Sequence, residues 1–156
     1  MSSKTNAMRI LDKQKINYNI LQYEVEDGKI DGISVAEKIN KQVELVYKTL
    51  VAHKDTNLYV FVIPVTEELD LKKAAKAASE KKLDMLPVKE LFKWTGYIRG
   101  GCSPVGMKKN YPTFIQLGAM ELNTFIVSAG KIGLQIETDP QELAKVTGAS
   151  FVDVIK

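Results

Sequence analysis

The chain contains very few of the residues that build metal sites and disulfides. Its 156 residues include one cysteine, Cys102, and one histidine, His53. A lone thiol cannot form an internal disulfide, and one thiol with one imidazole cannot complete the ligand set of a structural zinc ion. We therefore expect no bound metal, no cofactor and no disulfide framework.

Long apolar runs are also missing. The longest, from Leu58 to Val65, is far shorter than the roughly 20 residues that a membrane-spanning helix needs. Residues 1–6 lead into a helical pattern without the apolar core of a secretory signal. These two absences predict a cytoplasmic protein with no membrane partner.

No charge of one sign dominates the chain. Its 22 basic and 19 acidic side chains give a net charge of +3, which is too small to indicate nucleic-acid binding by itself. One helix is nevertheless predicted to carry a cationic surface, because five lysines lie close together with one acid, Glu80, among them (Lys72, Lys73, Lys76, Lys81 and Lys82). A solvated helix face is the simpler interpretation, and contact with a phosphate backbone is the alternative.

What the chain does have is an interleaved series of helix and strand patterns without a linker or repeat. Strands are predicted over residues 18–23, 46–52, 58–65, 113–117, 123–128 and 133–138. The second and third are expected to pair as a hairpin across the turn Asp55-Thr56-Asn57. Helices are predicted from residues 7, 34, 70, 87 and 139, with Ser34, Asp70 and Asp139 as N-caps. The helix after Pro87 is expected to turn its apolar residues toward the core (Val88, Leu91, Phe92 and Trp94). The pattern predicts one α+β domain, residues 1–156, with a mixed β-sheet that is curved or closed into a barrel and is surrounded by helices.

Lys48 is the one charged residue of the predicted strand 46–52, and it shares a face with Val46 and Leu50. An ammonium group that is partly desolvated among apolar side chains either loses its proton or holds an anionic or carbonyl-rich partner. A lysine that reaches past a sheet edge into solvent is the simpler alternative. Lys48 is therefore a candidate for a binding or catalytic role.

A glycine-rich loop, Gly100-Gly101-Cys102-Ser103-Pro104, follows the turn Thr95-Gly96-Tyr97. Paired glycines let the backbone approach a ligand and leave N–H groups unshielded, which suits a carbonyl or phosphate oxygen. The spacing is not that of a nucleophile elbow, so Ser103 is expected to shape or line the loop. Cys102 could attack a substrate only with a base such as His53 beside it, and is otherwise a small packed thiol.

Four blocks of sequence follow one another along the chain: VYKTL at 46–50, LDLKK at 69–73, TGY and GGCSP between 95 and 104, and VSAGK at 127–131. Together they resemble the YbaK/EbsC family of trans-editing aminoacyl-tRNA deacylases. The resemblance covers nearly the entire chain and is strongest to the branch that acts on Cys-tRNA(Pro).

The resemblance implies a barrel-like mixed sheet surrounded by helices, as in the editing domain of prolyl-tRNA synthetases. It also implies hydrolysis of cysteine from tRNA(Pro) by attack of the substrate's own thiol on the aminoacyl carbonyl. Lys48 matches the essential lysine of the family, and Gly100 and Gly101 match the loop that borders the amino-acid pocket. Tyr23 and Ile33 occupy positions that line this pocket. The implied partners are the 3′ end of aminoacyl-tRNA and prolyl-tRNA synthetase.

Three positions depart from the family pattern. Cys102 stands where relatives often have an aliphatic residue, Gln135 where some have aspartate, and Ala129 where glycine is common. The resemblance places Cys102, Ser103 and Gln135 among the substrate-binding residues. Because pocket size and polarity decide between small substrates, the preference among cysteine, alanine and other small residues stays open. A second class of function also stays open, a non-catalytic module that binds an aminoacyl or nucleotide end beside prolyl-tRNA synthetase.

Overall fold

Eight strands form two sheets in the structure, a computed structural model that describes residues 4–156. The strands are β1 (Tyr18–Gln22), β2 (Tyr47–Lys54), β3 (Asn57–Pro64), β4 (Asp84–Met85), β5 (Thr113–Gln116), β6 (Phe125–Lys131), β7 (Leu134–Thr138) and β8 (Ser150–Val152). One sheet is antiparallel in the order β1-β7-β6, and the other is mixed in the order β4-β2-β3-β5-β8. The predicted α+β class with mixed pairing is confirmed, but within residues 4–156 the strands do not close into a barrel.

Five α-helices complete the described chain: α1 (Asn6–Lys13), α2 (Gly32–Lys38), α3 (Leu71–Ala77), α4 (Val88–Thr95) and α5 (Pro140–Thr147). Short 3₁₀ helices lie at Val43–Leu45 and Leu117–Glu121. The predicted caps of α3 and α5 are confirmed, since the carboxylates of Asp70 and Asp139 accept hydrogen bonds from first-turn N–H groups. None of these helices is long and apolar enough to cross a membrane.

Two helix predictions are wrong in their bounds. Ser34 is not the N-cap of α2, because Asp31 takes that position and accepts from both the N–H and the hydroxyl of Ser34. The helix starts at Gly32, so Ser34 lies inside its first turn and the orphan N–H group of that turn is capped by Asp31. The basic helix α3 ends at Ala77, so Lys81 and Lys82 lie beyond it and the five lysines share no single helix face.

The β2–β3 hairpin forms as predicted, with Lys48 opposite Ile63 and the turn at Asp55. One face of this hairpin buries Ala52, Phe61 and Ile63 against α3. The alternation that places Lys48 on the side of Leu50 therefore puts it at the end of this apolar stripe.

The opposite face of the hairpin packs against α4. Val51, Leu58 and Val60 contact Leu91 and Trp94 of this helix. The expectation that Val88 and Phe92 also face the core is wrong, because they are 58% and 59% exposed. A helix of two turns that packs on one side cannot bury all four apolar positions of this segment.

The two sheets meet at the start of β2. The rings of Tyr47 and Phe125 pack edge to face with centroids 5.1 Å apart, and Val46 forms a parallel bridge with Ile126. On the edge away from β3, β2 pairs with β4 only at Ala52 and His53. The edge of β2 between these two contacts has no neighbouring strand in the described chain, and this stretch borders the cleft described next.

Candidate functional site

A cleft of about 720 Å³ opens beside the first half of β2. Its walls come from four separate parts of the chain: the segment leading into α2, the start of β2, the loop after α4, and the β6–β7 pair. They contribute Gly28, Ile30–Ile33, Tyr47–Leu50, Arg99, Gly100, Cys102, Ser128 and Gln135, among others. Residues more than 100 positions apart are thereby brought to one concave surface, the usual form of a small-molecule site.

Lys48 lines this cleft and is half-buried. Desolvation lowers the pKa of its ammonium group below the usual value, while the carboxylates of Glu68 and Glu67 act in the opposite direction. Within residues 4–156 the ammonium has no hydrogen-bond or ion-pair partner, whereas Lys38, Lys41 and Lys73 are paired with carboxylates. A partly desolvated cation without a partner is suited to hold a guest that is anionic or rich in carbonyl oxygen.

The glycine loop reaches the cleft through Gly100. Its φ of +86° lies in the left-handed region, and a Cβ at this position would lie 2.9 Å from Cδ1 of Ile30. Glycine is therefore required both for the backbone conformation and for contact with the segment that precedes α2.

Gly101 and Ser103 are not among the residues that line the cleft. The N–H of Gly101 donates to the carbonyl of Ile98 at 2.9 Å, and its Cα packs against the backbone of Ile132. The hydroxyl of Ser103 is fully buried and accepts from the N–H of Val105. In this structure both residues hold the loop in shape, and the Gly101 N–H is not available to a ligand.

Cys102 lines the cleft but is 8% exposed, and burial raises the pKa of its thiol to about 12. His53 lies five residues along β2 from Lys48, beside the hairpin turn, where its Nδ1 contacts the carbonyl of Asp55. It is not among the residues that line the cleft. The thiol thus stays protonated at neutral pH, and the described chain does not place this histidine beside it as a base.

Three buried polar side-chain atoms lack a hydrogen-bond partner within the described residues: Tyr23 Oη, Thr49 Oγ1 and Gln135 Oε1. Thr49 and Gln135 line the cleft, and Gln135 lies opposite Ser128 in the β6–β7 register. Tyr23 follows β1 and is not a lining residue. Because buried polar groups are nearly always paired, the two lining atoms indicate that a polar guest completes them.

The cleft lining combines charged and apolar exposed side chains. Arg99 supplies a second cation, Asp31 a carboxylate, and Ile33 an exposed apolar rim. Sequence reasoning missed Arg99 and Thr49, although each is adjacent in sequence to a residue it singled out. No group of three histidine, cysteine, aspartate or glutamate side chains between residues 4 and 156 is arranged to hold a metal ion.

Comparison with known proteins assigns the fold and its family. The model of the aminoacyl-tRNA editing domain family matches residues 31–146. The chain belongs to this family. It is also 43% identical over 152 residues to a protein of Enterococcus faecalis (strain ATCC 700802 / V583) that is provisionally named Cys-tRNA(Pro)/Cys-tRNA(Cys) deacylase EbsC, covering 97% of this chain and 93% of that protein.

Solved structures share the architecture of this editing domain at lower identity. One, described provisionally as a trans-editing enzyme for prolyl tRNA synthetase, is 21% identical with a TM-score of 0.85 and covers 99% of both chains. Another, of the hypothetical protein APE2540, is 21% identical with a TM-score of 0.86 and covers 96% of this chain and 98% of the other. These likenesses concern the fold alone.

The editing-domain cleft brings together five of the residues that the sequence proposed for the site. Ile33, Lys48, Gly100, Cys102 and Gln135 line it, although more than 100 positions separate Ile33 from Gln135. The other three, Tyr23, Gly101 and Ser103, lie outside the lining.

Proposed function

We propose that the protein is a trans-editing deacylase that hydrolyses a wrongly attached amino acid from tRNA, with Cys-tRNA(Pro) as its main substrate. The observation that carries this proposal is the cleft in which Lys48, Arg99 and Gly100 meet, in a chain of the editing-domain family. The relative named as a Cys-tRNA deacylase supports the choice of substrate. The whole chain acts as one domain, in the cytoplasm.

The nucleophile is the thiol of the substrate. Its thiolate sulfur attacks the aminoacyl carbonyl carbon, the ester bond to the terminal ribose breaks, and the ribose oxygen takes up a proton. Cysteine leaves as a cyclic thioester, which water then opens. This route requires no nucleophile from the protein, which agrees with a Cys102 thiol whose pKa is raised to about 12.

Lys48 stabilises the negative charge that develops on the carbonyl oxygen during this attack. A cation that is held in a partly dry cleft acts more strongly than one in water, and it needs no reorganisation during the reaction. The absence of a carboxylate partner among the described residues leaves the ammonium free for this role. Arg99, at the exposed mouth, is placed to hold the terminal phosphate.

The cleft holds the aminoacyl group in the geometry of attack. Thr49 Oγ1 and Gln135 Oε1 offer hydrogen-bonding capacity to the α-amino group and the ribose. Positioning of this kind makes the attack effectively intramolecular and lowers the entropic part of the barrier. Gly100 keeps the loop close to the segment before α2 and so sets the width of the cleft.

Such an enzyme supplies discrimination that a synthetase pocket cannot. Cysteine and proline are close in size, and a pocket that accepts one rejects the other by only a modest factor. Prolyl-tRNA carries no thiol, so the chemistry itself spares the correct product. A small domain of net charge +3 makes few phosphate contacts, and we propose that prolyl-tRNA synthetase presents the mischarged tRNA to it.

The test is release of radiolabelled cysteine from Cys-tRNA(Pro) by wild type, Lys48→Ala and Lys54→Ala. Lys54 is an exposed lysine at the far end of the same strand and serves as the matched control. We expect Lys48→Ala to lower the rate at least about 100-fold, the usual cost of one lost oxyanion-stabilising group, and Lys54→Ala to match wild type. Circular dichroism checks that both variants fold.

Two results would contradict the proposal. Unchanged turnover in Lys48→Ala would remove this residue from the site. Tight binding of Cys-tRNA(Pro) by wild type without release of cysteine would instead indicate the non-catalytic binding module.

A further inference from the structure

The outer side of α4 carries a basic-aromatic face, which we define as Val88, Lys89, Phe92, Lys93 and Lys108. The first four are exposed residues of the helix, and Phe92 is 59% exposed. Lys108 joins them from the following loop, with its Nζ 5.3 Å from the centre of the Phe92 ring. The Nζ of Lys93 lies 5.2 Å from the centre of the Trp94 ring. An exposed phenylalanine with lysines beside it is unusual on a helix whose other side is well packed.

The fold holds this face rigidly. Leu91 and Trp94 anchor the inner side of α4 on the β2–β3 hairpin. Lys108 is tied to the end of the helix, because its Nζ donates to the carbonyl of Lys93 at 3.1 Å and its N–H donates to the carbonyl of Thr95. The packing of α4 on the hairpin therefore fixes Phe92 in its outward position.

Positive charge is in excess in this part of the chain, as it also is over residues 72–82. Residues 88–111 contain five basic side chains and one acidic one, Glu90, whereas the rest of the chain has 17 basic and 18 acidic residues. Within residues 4–156, six lysines form ion pairs with carboxylates, and none of these lies between 88 and 111. Lys109 lines a separate small cleft and is left out of the face.

The face leads to the mouth of the functional cleft. Helix α4 ends at Thr95, and Arg99, four residues later, lines the cleft. Lys93, the last helical residue of the face, lies six residues before Arg99, so their Cα atoms are at most about 22 Å apart. A strand of nucleic acid whose last nucleotide entered the cleft could continue along α4.

We propose that the basic-aromatic face binds the RNA strand immediately upstream of the acylated 3′ end. Lys89 and Lys93 contact its phosphates, and Phe92 stacks on an unpaired base near the terminus. This inference rests on the proposed function, because it assumes that the cleft receives the 3′ end of an RNA. An acidic protein surface would also suit the lysines, but the combination of unpaired cations with an exposed aromatic ring favours single-stranded RNA.

The test is fluorescence anisotropy with an unacylated hairpin RNA that carries the acceptor stem and 3′ tail of tRNA(Pro). The variants are K89A/K93A and Phe92→Ala. The control is K72A/K76A, which removes two exposed lysines at the same spacing on α3. We expect K89A/K93A to bind about tenfold more weakly at low salt, with a salt dependence reduced by about two phosphate contacts.

Phe92→Ala is expected to weaken binding about fivefold or more without changing the salt dependence, since stacking involves no counterion release. Deacylation of Cys-tRNA(Pro) by both variants should show a raised KM with kcat close to wild type. Binding by K89A/K93A equal to wild type, or a larger loss in K72A/K76A, would overturn the inference.

Failure of the proposed function gives a different result. Wild type would then bind the hairpin through this face without releasing cysteine from Cys-tRNA(Pro). A loss in K89A/K93A that is seen only when prolyl-tRNA synthetase is present would assign the face to a protein partner and contradict RNA binding.

Discussion

Lys48 shows how one residue acquires a function from its place in a strand. The alternation of β2 puts it on the face of the hairpin that packs against α3, and the open edge of the strand leaves its ammonium in the cleft. The sequence indicated it because a charged side chain in an apolar stripe is costly to desolvate unless it binds a partner. It could not find Thr49, because a threonine in a strand is ordinary until its hydroxyl is seen to be buried without a partner.

The pH dependence of deacylation tests the charge on Lys48. Burial lowers its pKa from the ordinary value of 10.5, so the ammonium is lost at a lower pH than in free lysine. Ionisation of the substrate thiol, near pH 8.5, raises the rate first. We therefore expect a bell-shaped profile whose falling limb lies below pH 10.5. Initial rates, corrected for spontaneous hydrolysis, measure it.

Lys48→Arg provides the comparison for this profile. A guanidinium keeps its proton at any pH that the protein survives, so the falling limb should move to higher pH even if the maximal rate drops. A falling limb at the same pH in both proteins would assign it to another group.

Cys102→Ala tests whether the protein supplies the nucleophile. Because the thiol is buried and its pKa is raised to about 12, we expect deacylation within about threefold of wild type and a loss of about 1 kcal/mol in the free energy of unfolding. Rate and urea denaturation measure the two effects. Abolished activity in a folded variant would mean that the cysteine attacks the ester and that the substrate-thiol route is wrong.

At the scale of elements, the cleft depends on two close contacts at glycines, where no side chain keeps the contacting segments apart. Gly32 has no room for a Cβ because Val65 packs against it, and Gly100 has none because of Ile30. The sequence pattern placed Gly100 in a loop whose backbone approaches a ligand, and it gave neither glycine a contact within the fold. Their role as contact points depends on partners distant in sequence, which no local pattern reveals.

Gly100→Ala is expected to lower both stability and activity. Its positive φ costs a residue with a Cβ about 1–2 kcal/mol, and the new methyl group must displace Ile30 from the cleft wall. Gly148→Ala is the matched control, because Gly148 also has a positive φ but has open space around it at the end of α5. Both should unfold at lower urea, and only Gly100→Ala should deacylate more slowly. Equal deacylation by the two would contradict the assignment of Gly100 to the cleft.

At this scale the helix caps could be predicted from the sequence, and the buried and exposed faces of α4 could not. Asp70 and Asp139 were predictable because a cap acts on N–H groups only two or three residues away. The faces of α4 were not, since the apolar positions 88, 91, 92 and 94 spread over about 160° of the helix, more than a helix of two turns buries against one hairpin. Only the position of the hairpin decides that Leu91 and Trp94 are inside and Phe92 is outside.

At the scale of the whole molecule, the cleft exists because two sheets meet at one corner and diverge from it. The antiparallel hairpin was predictable from its turn, but the parallel pairs β3–β5 and β5–β8 join segments that are far apart in sequence. Strands of two or three residues, β4 and β8, carry too short a pattern to detect. The sheet order therefore emerged only from the structure.

The corner itself can be tested through Phe125, which is fully buried against Tyr47. Phe125→Ala should lower the free energy of unfolding by about 3–5 kcal/mol, because it leaves a cavity where the sheets join. Phe92→Ala, on the exposed face of α4, should change it by less than about 0.5 kcal/mol. Urea denaturation compares the two, and similar losses would contradict the burial that the structure assigns to them.

Attack by the substrate's own thiol is the central claim, and a comparison of Cys-tRNA(Pro) with Ala-tRNA(Pro) under single-turnover conditions tests it. Alanine is small enough for the same cleft but has no thiol, so the comparison isolates the chemistry from the fit. We expect rapid release of cysteine that depends on Lys48, and release of alanine close to the rate of spontaneous hydrolysis. Equal enzymatic release of both amino acids would show that the attacking group does not come from the substrate.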